Sequence, residues 1–106
     1  MDIDTGALEV VDNAAGRRFE IRIGDEVAFV TYRREGNTIA YIHTEVPEAL
    51  EGHGIAGRLA AHALAHARAD GLRVVPLCPY VSAYIKRHPE YQDLVAPRLE
   101  WNAFLR

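Results

Sequence analysis

The chain has a single cysteine, Cys78, in 106 residues. A lone thiol excludes an internal disulfide framework and suits a reducing compartment. Nor does one charge dominate: 12 Lys and Arg stand against 15 Asp and Glu, a net charge of −3. That balance argues against a nucleic-acid partner. No apolar run approaches the roughly 20 residues of a membrane span, and no basic-then-apolar leader opens the sequence. A cytoplasmic location away from membranes is therefore expected. Repeats, low-complexity tracts and linkers are missing too. The hydrophobic fraction of 49% and charged fraction of 25% are those of a soluble globular protein. This length predicts one domain spanning 1–106, which buries roughly two-thirds of its unfolded surface without metal or disulfide support.

The N-terminal half reads as β. Leu8–Asp12 is expected as a short first strand, with Asn13-Ala14-Ala15-Gly16 as its turn. Arg17–Ile23 alternates, setting Phe19, Ile21 and Ile23 on one face and Arg18, Glu20 and Arg22 on the other. Gly24-Asp25 predicts a tight hairpin into Glu26–Arg34, and Glu35-Gly36-Asn37 a second turn into Thr38–Val46. The period then changes: Ala56, Leu59, Ala60, Ala63, Leu64 and Ala67 form a helical stripe closed by Asp70-Gly71. Leu72–Leu77 is a fifth strand, whose Pro76 cannot donate to a ladder and predicts a free edge or a gap. Tyr80–Arg87 reads as a short second helix stopped at His88-Pro89. The tail, with Trp101 and Phe104, is expected to fold back as a short strand or helix. A meander followed by helix, strand and helix favours a parallel crossover pair at strands four and five.

Between strand four and the first helix lies Val46-Pro47-Glu48-Ala49-Leu50-Glu51-Gly52-His53-Gly54-Ile55-Ala56. A glycine turn at a helix start leaves backbone N–H groups without intrahelical partners, in the positive field of the helix dipole. It lacks the lysine and hydroxyl of a Walker loop. The bare G-x-G-x-x-G of a dinucleotide site is present at 52–57, but after the fourth strand of a meander rather than the first strand of a βαβ series. Read alone, the turn is either an anion cradle or a corner where glycine supplies permissive angles.

Its setting narrows the choice. Glu51-Gly52-His53-Gly54-Ile55-Ala56 resembles the acetyl-CoA motif of the GNAT acetyltransferase superfamily, usually written [QR]-x-x-G-x-[GA]. Arg17-Arg18-Phe19-Glu20, Ile42-His43-Thr44-Glu45-Val46-Pro47, Cys78-Pro79-Tyr80-Val81 and Tyr84-Ile85-Lys86-Arg87-His88-Pro89-Glu90-Tyr91 extend the match from about Phe19 to Leu94. Together they resemble a small, single-domain GNAT-like family. The resemblance implies an α/β fold: a mixed, mostly antiparallel sheet with one main crossover helix and a second short helix. It implies acetyl-CoA as co-substrate, no metal, and an amine of a small molecule or protein as acceptor. Backbone around Val46, Gly52, His53, Gly54, Ile55 and Ala56 would hold pantetheine and pyrophosphate, with pantetheine between strands four and five. Glu51 replaces the usual Gln or Arg, and a carboxylate facing pyrophosphate is repulsive. It is expected to point to solvent.

Three side chains are candidates for the chemistry. By resemblance, Tyr84 matches a tyrosine whose hydroxyl lies near the coenzyme sulfur; a phenol of pKa about 10 can protonate a thiolate. Cys78, just after strand five, would face the acetyl group, either as an acyl-carrying nucleophile or as a small buried residue. His43 on strand four suits a general base, and Glu45 shares its face. His62 and His66 lie one turn apart but lack a third ligand, so a solvated polar face is expected there. His88 is expected to cap carbonyls at a helix end, and Arg58 to reach pyrophosphate or lie as surface charge. The N-terminal strands leave no helices to wall an acceptor pocket. A non-catalytic acyl-CoA-binding module and a ligand-free interaction domain are the alternatives. Monomer and homodimer are equally compatible with the sequence.

Overall fold

Alternation in the N-terminal half becomes a meander of four strands. The computed structural model describes residues 8–105; residues 1–7 and 106, which the expected domain span includes, lie outside the described residues. The strands are β1 (Val11–Asn13), β2 (Arg18–Ile23), β3 (Glu26–Glu35) and β4 (Thr38–Glu45), followed by helix α1 (Ile55–Ala69), strand β5 (Arg73–Pro76) and helix α2 (Pro79–Arg87). They form one sheet in the order β1-β2-β3-β4-β5, antiparallel except for the parallel β4–β5 pair. This is the mixed, mostly antiparallel sheet with crossover helix that the sequence predicts. Among the described residues no helix is long and apolar enough to cross a membrane.

Both helices pack on one sheet face. Phe19, Ile21, Val30, Ile39, Tyr41 and Val74 meet Leu59, Ala63, Leu64 and Ala67 of α1 and Val81 and Ile85 of α2 there. Ala56, expected in the α1 stripe, is only partly buried, and Ile55 one residue earlier is 2% exposed instead. The buried Tyr41 hydroxyl donates to the Ala63 carbonyl, tying β4 to α1. On the opposite face Ala40 and Val75 are covered by Ala96, Trp101 and Phe104 of the tail. That tail is two 3-10 segments, Pro89–Leu94 and Arg98–Phe104. Between them Val95 bridges to Val74, and the Ala96 N–H donates to the Val74 carbonyl at 2.8 Å. The tail thus covers the outer edge of β5, which would otherwise be an open pairing site.

Most element ends fall within a residue of the sequence reading, and two of the differences have a clear physical cause. The first strand begins at Val11 rather than Leu8, because Leu8 and Val10 pack against the core without joining the ladder. Arg17 lies outside β2 because its φ of 56° is left-handed and ends the extended run. Glu20 is the larger surprise. It shares a face with Arg18 and Arg22, as alternation requires, yet is only 2% exposed. Asn13 Nδ2 donates to it at 3.0 Å, Arg18 pairs with it, and Arg22 Nη2 lies 3.1 Å away. The Arg18 guanidinium also covers the Phe29 ring at 4.3 Å.

The Asn13 hydrogen bond first, then the two arginines, holds the Glu20 carboxyl below its ordinary value of 4.5. A depressed folded-state pKa contributes stability that is complete above the unfolded value and lost as pH falls through the folded one. Glu20→Gln should therefore cost roughly 1–3 kcal/mol at neutral pH. It should also flatten the fall in urea stability between about pH 5 and pH 3. Parallel acid limbs in wild type and variant would reject this account.

Candidate active site

The site starts where β4 and β5 stop pairing. Their last pair is Tyr41 with Pro76, after which the Leu77 N–H turns back to the Val75 carbonyl at 3.0 Å instead of extending the ladder. At the same point β4 bulges against β3: Tyr32 pairs with Tyr41 and Thr31 with His43, leaving Ile42 as the extra residue. The segment Ile42–Glu45 then runs on with no β5 partner. Cys78 returns across the opening, its N–H donating to the Tyr41 carbonyl at 2.8 Å. Its Sγ lies 3.2 Å from Thr44 Oγ1, and the residue is 2% exposed at the N-cap of α2. Pro76 thus marks both the sheet edge and the gap.

Past β4, a 3-10 turn at Glu48–Leu50 plants Leu50 in the core. Gly52 (φ 84°) and Gly54 (φ 72°) then take left-handed angles that favour glycine. Gly54 is the N-cap of α1, has no side-chain cap, and accepts the first helical bond from Arg58 N–H. The amides of Ile55, Ala56 and Gly57 therefore lack intrahelical partners, at the positive end of a 15-residue helix with no acid in its first turn. They border a cleft of about 170 Å³. Val46, Gly52, Gly54, Ile55 and Ala56 all line it, whereas His53 does not. Glu51 is exposed at the rim.

Leu50, Gly57 and Tyr80 also line the cleft, beyond the residues the sequence predicts. Tyr80 was signalled by its position one helical turn before Tyr84, on the same face of α2. Tyr84 itself is absent from the cleft lining. Its ring stacks on His88 at 3.9 Å and lies 6.4 Å from Tyr80 and 6.2 Å from Tyr91. Burial, ahead of the neighbouring Tyr91 and Tyr80, pushes the Tyr84 hydroxyl above its ordinary value of 10.0, so it stays protonated at neutral pH. His88 Nδ1 donates to the Tyr84 carbonyl at 2.9 Å, the expected helix-end role.

Residues 18–94 match the sequence profile described as GCN5-related N-acetyl-transferase. The chain belongs to this family. It is similar to Protein NATD1 of Mus musculus, 32% identical over 97 residues that span 87% of this chain and 88% of the mouse protein. Protein NATD1 of Homo sapiens is 32% identical over 106 residues, covering 90% and 94%. The solution structure of a GCN5-like candidate N-acetyltransferase from Staphylococcus aureus superposes with a TM-score of 0.67 at 27% identity, over 84% of this chain and 88% of that one.

In this family frame, the remaining predicted residues divide between the two faces of the sheet. Thr44 pairs with Val30 and so shares the helix side with Cys78. His43 pairs with Thr31 and Glu45 with Phe29, which places both on the opposite face. His43 Nε2 is 3.4 Å from Glu45 Oε2, at 61% and 60% side-chain exposure, and its ring lies edge-on to Phe29 at 6.4 Å. His62 and His66 are not the solvated pair expected. Both set their rings edge-on against Phe19 at 5.1 Å, and burial pushes the His62 pKa down. Among the described residues no cluster of three metal-binding side chains occurs. Arg58 is partly exposed on the first turn of α1 and does not line the cleft.

A Cβ at Gly57 would stand 3.6 Å from the Tyr80 hydroxyl, an ordinary contact. Gly57→Ala should thus keep or raise thermal stability, by about 1 kcal/mol from helix propensity. Because the methyl enters the cleft, any ligand seated there should bind several-fold more weakly, coenzyme A being the ligand to test. Unchanged affinity by titration calorimetry would show that the cleft is not the coenzyme's seat.

Proposed function

We propose that this protein transfers an acetyl group from acetyl-CoA to a primary amine. One coincidence supports the reading above all: the free amides of Ile55, Ala56 and Gly57 open onto the same end of the sheet where β4 and β5 part. A pyrophosphate on the α1 N-terminus has directed N–H donors. The β5-facing edge of Ile42–Glu45, which has no strand partner on that side, then offers a track for the amide-bearing arm that carries the thioester.

In the reaction the amine nitrogen attacks the thioester carbon, a C–N bond forms and the C–S bond breaks. His43 takes the proton the amine must lose, from the open sheet face. Tyr84, protonated at neutral pH, returns a proton to the departing thiolate. Tyr80 lines the cleft one helical turn nearer the glycine turn and orients the arm from that side. A second route passes through Cys78, favoured by its position where the strands part, with Thr44 Oγ1 at 3.2 Å from the sulfur. There the Cys78 thiolate displaces the coenzyme thiolate, carries the acetyl group as a thioester, and yields it to the amine.

Acetyl-CoA should raise the melting temperature, and turnover should appear in a panel of small amines and lysine peptides. His43→Gln should lower kcat by roughly 10²–10⁴-fold with little change in coenzyme affinity. Binding with no turnover on any amine would favour a non-catalytic acyl-CoA module, and no stabilisation by any CoA thioester would favour an interaction domain. An acetyl adduct on Cys78 in rapidly quenched intact mass spectra distinguishes the covalent route.

Tyr84→Phe should cut kcat by at least tenfold while Tyr80→Phe mainly raises KM for acetyl-CoA. Turnover untouched by Tyr84→Phe would remove that residue from proton transfer.

A further inference from the structure

The opposite flank of α2 carries a second groove. Ser82 and Lys86 lie one turn apart on it, roughly 200° around the helix from Tyr80 and Tyr84. With the tail they enclose a groove of about 220 Å³. Pro76, Ile85, Val95 and the Trp101 ring form its apolar walls, and Ser82, Gln92, Lys86 and Arg98 supply its polar groups. None of the residues lining the glycine-turn cleft recurs here.

Charge decides what the groove suits. The protein carries a net −3, yet the only charged side chains lining this groove are cations. Two acids of the tail are engaged elsewhere: Asp93 is held by Arg68 at 2.9 and 3.0 Å, and Glu100 by Arg73 Nε at 2.9 Å. Arg98 is held in place, its guanidinium 4.1 Å from the centre of the Trp101 ring. A guanidinium stacked in this way keeps its N–H fork free for a carboxylate or phosphate. The Trp101 indole N–H is already spent on the Ala96 carbonyl at 2.9 Å, so the ring contributes an apolar surface.

The geometry points to a binding site for a small organic anion, one carboxylate or phosphate joined to a compact apolar body. The acid group pairs with Arg98 and Lys86 and takes hydrogen bonds from Ser82 and Gln92. The body lies against Pro76, Ile85 and Val95. The volume is below the roughly 300–1,000 Å³ of sites for drug-sized ligands, which limits that body to about a single ring.

Trp101 is the only tryptophan in the chain and lines the groove, so its emission reports occupancy directly. Phenyl phosphate should change Trp101 fluorescence saturably, whereas inorganic phosphate and benzyl alcohol, each carrying half of the ligand's chemistry, should bind at least tenfold more weakly. Arg98→Met and Lys86→Met should each weaken phenyl phosphate by about tenfold or more, with the fold checked by circular dichroism. Excess coenzyme A should leave the signal in place. A flat titration, equal response to inorganic phosphate, variants that bind like wild type, or displacement by coenzyme A would each overturn the proposal. None of these readouts depends on acetyl transfer, so this site and the proposed activity stand or fall separately.

Discussion

Tyr41 is where the constraints on this fold converge. Its backbone forms the last β4–β5 pair with Pro76 and accepts the Cys78 N–H, while its hydroxyl reaches the Ala63 carbonyl on α1. Beyond that pair the Leu77 N–H turns back to the Val75 carbonyl at 3.0 Å and the Cys78 N–H donates to the Tyr41 carbonyl, so the parallel ladder ends there. The Ile42 bulge turns the remainder of β4 away at the same step. Because Tyr41 is fixed to the sheet and to α1 together, the parted strands and the helix N-terminus are held in one frame. Site geometry is in this sense a consequence of core packing, and only secondarily of the residues that line the cleft.

The proposed anion site is set in unfavourable long-range electrostatics. Glu45, Glu48 and Glu51 are exposed along the loop that leads into α1, and Arg58 does not line the cleft. Exposed carboxylates act through water, where a unit charge at about 4 Å is worth only ~1 kcal/mol and is further screened by salt. Three N–H groups aimed into a cleft act at contact distance and need no side-chain reorganisation. On that proposal short-range directed donors outweigh diffuse repulsion, the Glu51 carboxylate at the cleft rim included. The arrangement relies on the left-handed angles at Gly52 and Gly54, since those angles turn the helix start toward the cleft.

Most of the fold was legible because it rests on local periodicity. The hairpin turns, the α1 stripe and the stop at His88-Pro89 are each written in a few adjacent residues. The unread features depend on partners distant in sequence. Alternation placed Glu20 correctly on the polar face, but only Asn13 seven residues earlier, together with the flanking arginines, makes its burial tolerable. His62 and His66 looked solvated because nothing near them in sequence announces that Phe19 lies beneath. Helical spacing puts Tyr80 and Tyr84 on one face, but only the packing of α2 against the α1 start brings Tyr80 to the cleft. The tail carried no periodic signal at all, and its 3-10 form follows from covering Ala40, Val75 and the β5 edge.

The sheet also separates the chemistry proposed for it. Register places Thr44 and Cys78 on the helix side of β4, and His43 and Glu45 on the other. A thioester held from the helix side and an amine deprotonated from the open side would meet only where β4 has lost its β5 neighbour, because elsewhere the continuous sheet stands between them. On that open face the tail covers the Ala40 and Val75 end, leaving His43 and Glu45 more than half exposed. Among the described residues nothing walls in His43 and Glu45 on that face. On the proposed function, selectivity among amines would then come from what the acceptor brings, its reach and its charge, more than from an enclosing pocket. This distribution of roles follows from a sheet with helices on one side and a single parted strand pair.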